Sequence, residues 1–364
     1  MTKIAELISE LEHFAPQFYQ ESWDNSGLIV GDKTETITSV LLSVDVTESV
    51  VEEAIQKKAN LIIAHHPIVF KGLKSLTGKN YVERTVIKAI KNDIAIYAMH
   101  TNLDVMGKGI SYKMAEKLAL KKIQTLDISN HPLKKLVVFV PKSHHDKVRT
   151  AILEAGAGHI GKYDSCSFNT EGTGTYRALE GSQPYVGELN KIHREEEIRI
   201  ETIFPEHLKG NVINAIKATH PYEEIAYDIY TLNQSDKSIG LGKYGELPEP
   251  MEELDFLHLL KTKFKLQNLR HSPLLGKKIK HVAVCGGSCS FLIQKAKQKA
   301  DIFVTADVKY HEFFDAENKV IIADIGHFES EQFSKEIFYD IISKKFSNFA
   351  VHFSEINTNP INYL

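Results

Sequence analysis

Cysteine is scarce in this sequence: Cys166, Cys285 and Cys289 are the 3 in 364 residues. That is too few for a disulfide framework in a chain of this length, which fits a reducing compartment and predicts buried thiols. An excess of charge of one sign is also missing. The 44 Lys and Arg against 47 Asp and Glu leave a net charge of -3, so nothing draws the chain as a whole to a nucleic-acid backbone and no nucleic-acid partner is expected. Long hydrophobic runs are absent too, since none approaches the roughly 18 to 20 residues that span a bilayer. The N-terminus carries Glu6, Glu10 and Glu12 where a signal peptide needs an apolar core, so the expectation is a cytoplasmic protein with no membrane partner.

What is present is an ordinary globular composition, 43% hydrophobic and 25% charged, which excludes disordered and fibrous classes. At about 150 residues per domain the length predicts two to three domains.

An internal repeat organises the chain. In the first copy, Val40 to Val44 reads as a strand, Ser49 with Glu52 as a capping box, Val50 to Ala59 as a helix, and Leu61 to Ala64 as a second strand ending at His65 and His66. In the second copy, Val282 to Val284 is followed by Gly286, Gly287 and Ser288, a helix-like stretch from Phe291 to Ala300, and the run Ile302 to Thr305. The likeness continues: Ile94 to Ala98 leads to His100-Thr-Asn-Leu-Asp104, and Val320 to Ala323 leads to His327-Phe-Glu-Ser-Glu331. Strands alternating with helices predict parallel sheets with polar ligands gathered at the carboxyl ends of the strands, which is where these histidines fall.

Between the halves the order is strand (Lys135 to Val140), helix (Asp146 to Ala155), strand (Ser165 to Leu179, broken by Gly172 and Gly174), strand (Arg199 to Phe204), helix (Leu208 to Ala218) and strand (Ile225 to Leu232). This βαββαβ order matches the ferredoxin-like motif. The predicted fold class is therefore α/β, a duplicated strand-helix-strand core with two pseudo-symmetric halves plus an inserted ferredoxin-like α+β domain. Residues 1–126 form the first half of the core, 127–240 the insert and 241–364 the second half. Gly240, Gly242 and Gly245 are read as the return joint.

His65, His66, Asp104, His327 and Glu331 supply three imidazoles and two carboxylates, with His100 in reserve. His327 and Glu331 are spaced (i, i+4) and would share one face of a helix. Such N/O donor sets suit Zn, Mn, Fe or Ni, and five ligands including a carboxylate able to bridge predict two divalent ions per chain rather than one.

The strings Trp23-Asp-Asn-Ser-Gly-Leu28, Ala64-His-His-Pro67, His100-Thr-Asn-Leu-Asp104, Lys309-Tyr-His311 and Gly326-His-Phe-Glu-Ser-Glu331 resemble the GTP cyclohydrolase 1 type 2 homologues, over nearly the whole chain. The insert, with Gly156-Ala-Gly-His-Ile-Gly161 and Cys166-Ser-Phe168, is similar to that of the family's long form. The resemblance implies ions held by His65, His66, Asp104, His327 and Glu331, toroidal homohexamers, and an insert similar to trimeric divalent-cation-tolerance and nitrogen-regulatory folds. It also implies a nucleotide-like small-molecule substrate, GTP by the family's name. The sequence departs from the expected Gly-rich turn at Cys289, which closes Gly286-Gly-Ser-Cys289.

Other motifs carry less. Gly156 to Gly161 satisfies G-x-G-x-x-G but follows a helix and precedes a strand, the reverse of a dinucleotide fingerprint. Gly286 to Ser288 reads equally as a structural turn and as an anion cradle. Cys285 and Cys289 without a second pair read as buried thiols rather than a thiolate metal site. Asp24 reads as part of a turn, with a supporting partner to a metal ligand as the alternative, and His144, His145 and His220-Pro-Tyr-Glu-Glu224 as structural. Lys309, His311 and His100 are the candidate catalytic residues, Lys309 as a cation for phosphate and His311 as a proton donor. Two functions follow: a metal-dependent hydrolase in which Asp104 bridges the ions, or a regulatory or metal-handling module whose insert senses a small ligand.

Overall fold

The computed structural model describes residues 1–364. Its chain divides into two compact units, one formed by residues 1–128 and 237–364 and the other by residues 129–236. No helix is long and apolar enough to cross a membrane.

In chain order the strands are β1 (Gly27–Val30), β2 (Ser39–Ser43), β3 (Leu61–Ala64), β4 (Ala95–Ala98) and β5 (Lys121–Ile128). They are followed by β6 (Pro132–Pro141), β7 (Phe168–Arg177), β8 (Ile192–Pro205) and β9 (Tyr227–Ser235) in the second unit. The first unit resumes with β10 (Gly240–Met251), β11 (Arg270–His271), β12 (Ile279–Ser288), β13 (Ile302–Ala306), β14 (Ile321–Asp324) and β15 (Ala350–Phe353).

The first unit holds two sheets, ordered β1-β4-β3-β2-β15 and β11-β14-β13-β12-β10-β5. β2, β3 and β4 run parallel, as do β12, β13 and β14, so in each triplet the carboxyl ends line up on one edge. Every residue of β3 and of β13 is buried, as expected of parallel strands covered on both faces. The two-residue period then divides their side chains between layers. Leu61 and Ile63 of β3 and Ile302 and Val304 of β13 enter one shared core, together with Leu7 and Leu11 of helix Ile4–Phe14 and Phe338 and Ile342 of helix Ser334–Lys345. Ile62 packs in a separate cluster with Val50, Val51 and Ala54 of helix Glu48–Gln56, and Phe303 in a third with Leu292 and Ile293.

Three local expectations are corrected. Thr47, not Ser49, caps helix Glu48–Gln56, its side chain accepting from the Val50 N–H. The stretch read as a helix from Phe291 to Ala300 shrinks to a 3₁₀ turn, Ser290–Leu292, and one helical turn, Ile293–Ala296. Lys295, Lys297 and Lys299 leave that segment no continuous apolar stripe, and a short helix is held mainly by packing. Gly240, Gly242 and Gly245 lie within β10 rather than in a joint. Gly242 and Gly245 are needed because β5 passes close: a Cβ on Gly245 would sit 2.7 Å from the Lys121 carbonyl oxygen, and one on Gly242, at φ +64°, 3.2 Å from Leu126.

Cys285 and Cys289 are joined as a disulfide, which corrects the reading of two buried thiols. The bend at the end of β12, where Gly287 sits at φ +69°, leaves their Cα atoms 6.1 Å apart, within the span a disulfide bridges. Cys166 remains a free thiol.

The second unit is a four-stranded antiparallel sheet, ordered β7-β8-β6-β9, with helices His145–Glu154 and Lys209–Thr219. Leu136, Val138 and Val140 of β6 pack with Val148, Ile152, Val212 and Ile216 of these helices in a core of its own.

Candidate metal centre

Each donor stands at the carboxyl end of a parallel strand. His65 and His66 follow β3, and both of their backbone N–H groups donate to the Val44 carbonyl. β4 ends two residues before His100, which opens the short helix Thr101–Asp104. After β14, Gly326 at φ +90° turns the chain into helix His327–Glu331, which sets His327 and Glu331 on one helical face.

The imidazoles are fixed from behind. His65 Nδ1 bonds the Met99 carbonyl at 2.8 Å, His66 Nδ1 the Asp45 carboxylate at 2.8 Å, His100 Nδ1 the Asp24 carboxylate at 2.8 Å and His327 Nδ1 the Asp307 carboxylate at 2.6 Å. With every Nδ1 engaged, each ring presents Nε2, the arrangement by which proteins orient metal-binding histidines. Glu331 collects three of these atoms: Oε2 lies 3.0 Å from His66 Nε2 and 3.1 Å from His327 Nε2, and Oε1 lies 3.6 Å from His65 Nε2. Asp104 Oδ1 is 3.7 Å from His65 Nε2. Two overlapping groups of donors, His65 with His66 and His100, and His66 with His327 and Glu331, each fall within 4.8 Å.

Burial and charge show what this cluster lacks. His65 Nε2 and Asp104 Oδ1 are buried without a hydrogen-bond partner, and buried polar atoms in a folded protein are almost always satisfied. Two unsatisfied atoms 3.7 Å apart, beside the Glu331 carboxylate, fit a cation between them. Burial, reinforced by Glu331, pushes the Asp104 carboxyl up to about 7. On His66, burial opposes the charged ring, but Asp45 and Glu331 outweigh it and raise the imidazole to about 10. The same balance, with Asp307 and Glu331 as partners, raises His327 to about 11. Glu331 is held well below its ordinary value, since the surrounding imidazoles overcome its burial. A site that attracts this much proton charge is one a metal ion would occupy in the protons' place.

Gly287 belongs to the same construction. A Cβ there would lie 2.4 Å from Glu331 Oε1, at a φ of +69°, so glycine is what lets β12 approach the carboxylate. The open question over the Gly286 to Ser288 turn resolves toward structure. The Gly287 N–H donates to Ser330 Oγ at 2.9 Å and the Gly286 N–H to Ser111 Oγ at 3.4 Å, leaving no free pair of N–H groups for a phosphate.

The structure thus brings together His65, His66, His100, Asp104, His327 and Glu331. It does not bring in Lys309 or His311. His311 is exposed on the turn Tyr310–Ala316, against the Tyr310 and Phe314 rings, and Lys309 is exposed with its backbone N–H donating to Glu312. Two carboxylates that orient rings, Asp45 and Asp307, have no such assignment from sequence, and Asp24 takes the alternative to its turn reading, also accepting from the Thr101 N–H and hydroxyl. Asp45 and Asp307 each follow a strand, β2 and β13, and a carboxylate at a parallel strand's carboxyl end was the available signal. Asp307 sits at φ +55°, a conformation that L-residues adopt sparingly and that clusters at functional sites.

The fold and site define an α/β protein with a histidine-carboxylate cluster on the carboxyl edges of two parallel strand sets. The chain belongs to the Duf34/NIF3 (NGG1p interacting factor 3) family, whose model matches residues 2–360. It is 39% identical over 366 residues to a Bacillus subtilis protein named GTP cyclohydrolase 1 type 2 homolog, covering 99% of this chain and 98% of that one. A Staphylococcus aureus protein of the same name is 35% identical over 368 residues, with both chains fully covered. Among solved structures, a Bacillus cereus protein related to NIF3 superposes with a TM-score of 0.88 at 39% identity, over 100% of this chain and 99% of that one.

Proposed function

We propose that this chain is a metal-dependent hydrolase of a nucleotide-like small molecule, using two divalent ions (Zn, Mn, Fe or Ni) held by His65, His66, Asp104, His327 and Glu331. The observation that carries the reading is the convergence of His65 Nε2 and Asp104 Oδ1, buried and unpartnered, with the buried Glu331 carboxylate among imidazoles each fixed through Nδ1. Ions there would supply Lewis acidity toward a phosphoryl or ring carbon and lower the pKa of water toward neutrality. The two oxygens of Glu331 face different imidazoles, so it is a second candidate to bridge alongside Asp104.

The residues around the cluster suit a bound base. The His327 side chain is 35% exposed and that of Asp104 16%, against 0% for His65 and 3% for Glu331, so the site opens on one side. At that opening the exposed rings of Trp23 and Phe70 stand 5.8 and 5.7 Å from the His100 ring, offering flat apolar surface to a heteroaromatic base. His100, locked on Asp24 through Nδ1, can hold or pass a proton at Nε2. Lys309 and His311 act as phosphate cation and proton donor in this reading. Their exposed positions, without contact to the cluster, favour the second reading, a regulatory or metal-handling module.

The strand order of the 129–236 unit supports a ferredoxin-like insert between notional bounds of 127 and 240, and the paired parallel strand sets support a duplicated core. A cytoplasmic homohexamer completes the proposal. Elemental analysis of protein never exposed to chelator, run beside a nucleotide and phosphoester turnover panel, tests it. About two ions per chain with turnover that chelation abolishes is the expected result. Fully loaded protein that turns over nothing would establish the second reading.

A further inference from the structure

The second unit contains a cavity of 730 Å³, within the range of small-molecule sites. Its wall is built from β7 and β8, paired so that Gly172 faces Glu197 and Gly174 faces Glu195. The segment carrying Tyr185 closes over it, tied down where the Gln183 N–H donates to Glu223 at 2.9 Å, and Phe139 of β6 lines it.

Three tyrosines meet at this cavity. The Tyr222 ring lies 5.9 Å from Tyr176 and 6.2 Å from Tyr185, at interplanar angles of 64° and 46°, so the rings stand around a space rather than stack. The Tyr176 hydroxyl is occupied by the Val186 carbonyl at 2.6 Å, which fixes that ring. Beside them lies the Glu197 carboxylate. A Cβ on Gly174 would come within 2.1 Å of Glu197 Oε2, so glycine is what permits the carboxylate to lie against β7.

Several other charges near the cavity are already matched, while Arg177 on its lining is exposed and makes no ion pair. Lys142 pairs with Glu171 at 3.0 Å, Arg199 with Glu201 at 2.8 Å and His193 with Glu195 at 2.8 Å. Glu197 has no cationic partner; it faces the Tyr222 hydroxyl, and burial together with nearby Glu195 raises its pKa. A half-buried carboxylate without a counter-ion, ringed by aromatic faces, is the arrangement that binds alkylammonium groups, because the ring quadrupoles and the carboxylate both attract a weakly hydrated cation.

We infer that the cavity between β7, β8 and the Tyr185 segment is a binding site for a small organic cation, an alkylammonium seated among Tyr176, Tyr185 and Tyr222 with its charge on Glu197. This site is separate in the chain from the metal donors and does not depend on the activity proposed for them.

Isothermal titration of the full chain with choline, with putrescine and with 3,3-dimethylbutan-1-ol, the uncharged isostere of choline, tests the inference. At least one ammonium probe is expected to bind saturably, one per chain, and the isostere at least tenfold more weakly. Glu197→Gln, which keeps the side chain's shape, should weaken the ammonium by tenfold or more while leaving the metal content and circular dichroism unchanged; Tyr185→Ala should weaken it similarly. The inference is overturned if neither ammonium binds better than the isostere, or if Glu197→Gln binds as the parent does. Binding of ATP or a dicarboxylate at this cavity through the exposed Arg177 on its lining, with no response to ammonium, would overturn it as well.

Discussion

His66 and His327 lie 261 positions apart in the chain, yet their Nε2 atoms face each other at 3.3 Å, with Glu331 Oε2 within 3.1 Å of both. The contact joins the two halves of the first unit through the cluster itself, and it sets unequal roles for the two rings.

His66 is common to both donor groups, whereas His327 belongs to one. His66→Ala should therefore strip both ions, and His327→Ala should leave about one per chain. Inductively coupled plasma mass spectrometry on variants purified without chelator reads this directly. Equal metal loss in the two variants would contradict the overlapping arrangement.

Asp45 and Asp307 touch the rings rather than the space between the donors. Asp45→Asn and Asp307→Asn should each lower metal affinity by roughly 10- to 100-fold, the usual effect of removing a ligand-orienting carboxylate, while the fold persists. Competition with a chromogenic chelator measures the change, and circular dichroism checks the fold.

The pKa shifts fix the sign of a pH dependence. In metal-free protein, His66 and His327 are raised from 6.5 to about 10 and about 11. Their stabilisation is complete below pH 6.5 and is lost as pH rises through those values. Asp104, raised from 3.8 to about 7, adds a loss between those two pH values. Metal-free protein should therefore melt at progressively lower temperature from pH 6.5 to 10. Metal must displace the same protons, so its affinity should rise over that range. Thermal melts with and without chelator decide the matter, and a chelated Tm that climbs with pH would refute the assignment.

Excision of residues 129–236 should leave a folded core that keeps its metal, because all six donors lie in the other unit. β5 and β10 pair antiparallel with Ile128 opposite Gly240, so the cut ends are neighbours and a short linker can join them. Insoluble or metal-free product from a chain whose parent is loaded would show that the core needs the insert.

Much of the centre was legible because the signals were local. A buried strand ending in His65-His66, and His327 with Glu331 at helical spacing, state their geometry within a few residues. Asp45 and Asp307 were missed because their significance lies in what they meet: Asp307 finds His327 20 positions away, and no periodicity encodes that. The glycines of β10 and β12 were misread for a related reason. Gly245 and Gly287 look like turn residues, but each answers to a neighbour distant in sequence, Lys121 and Glu331. Lys309 and His311 stand exposed at the start of a short 3₁₀ turn after β13, and nothing local in the sequence states where such a turn points its side chains.

The last strand, β15, pairs with β2 rather than with the sheet it follows in sequence, Ala350 opposite Ser39 and Phe353 opposite Leu42. The sheet of β1 to β4 is therefore incomplete until β15 docks, and a folding chain keeps the β2 edge open to unwanted pairing until then. His327 and Glu331 likewise follow the 129–236 unit in the chain. Assembly is thus ordered by topology: the open edge is sealed, and the set of metal donors completed, only by segments that come after that unit.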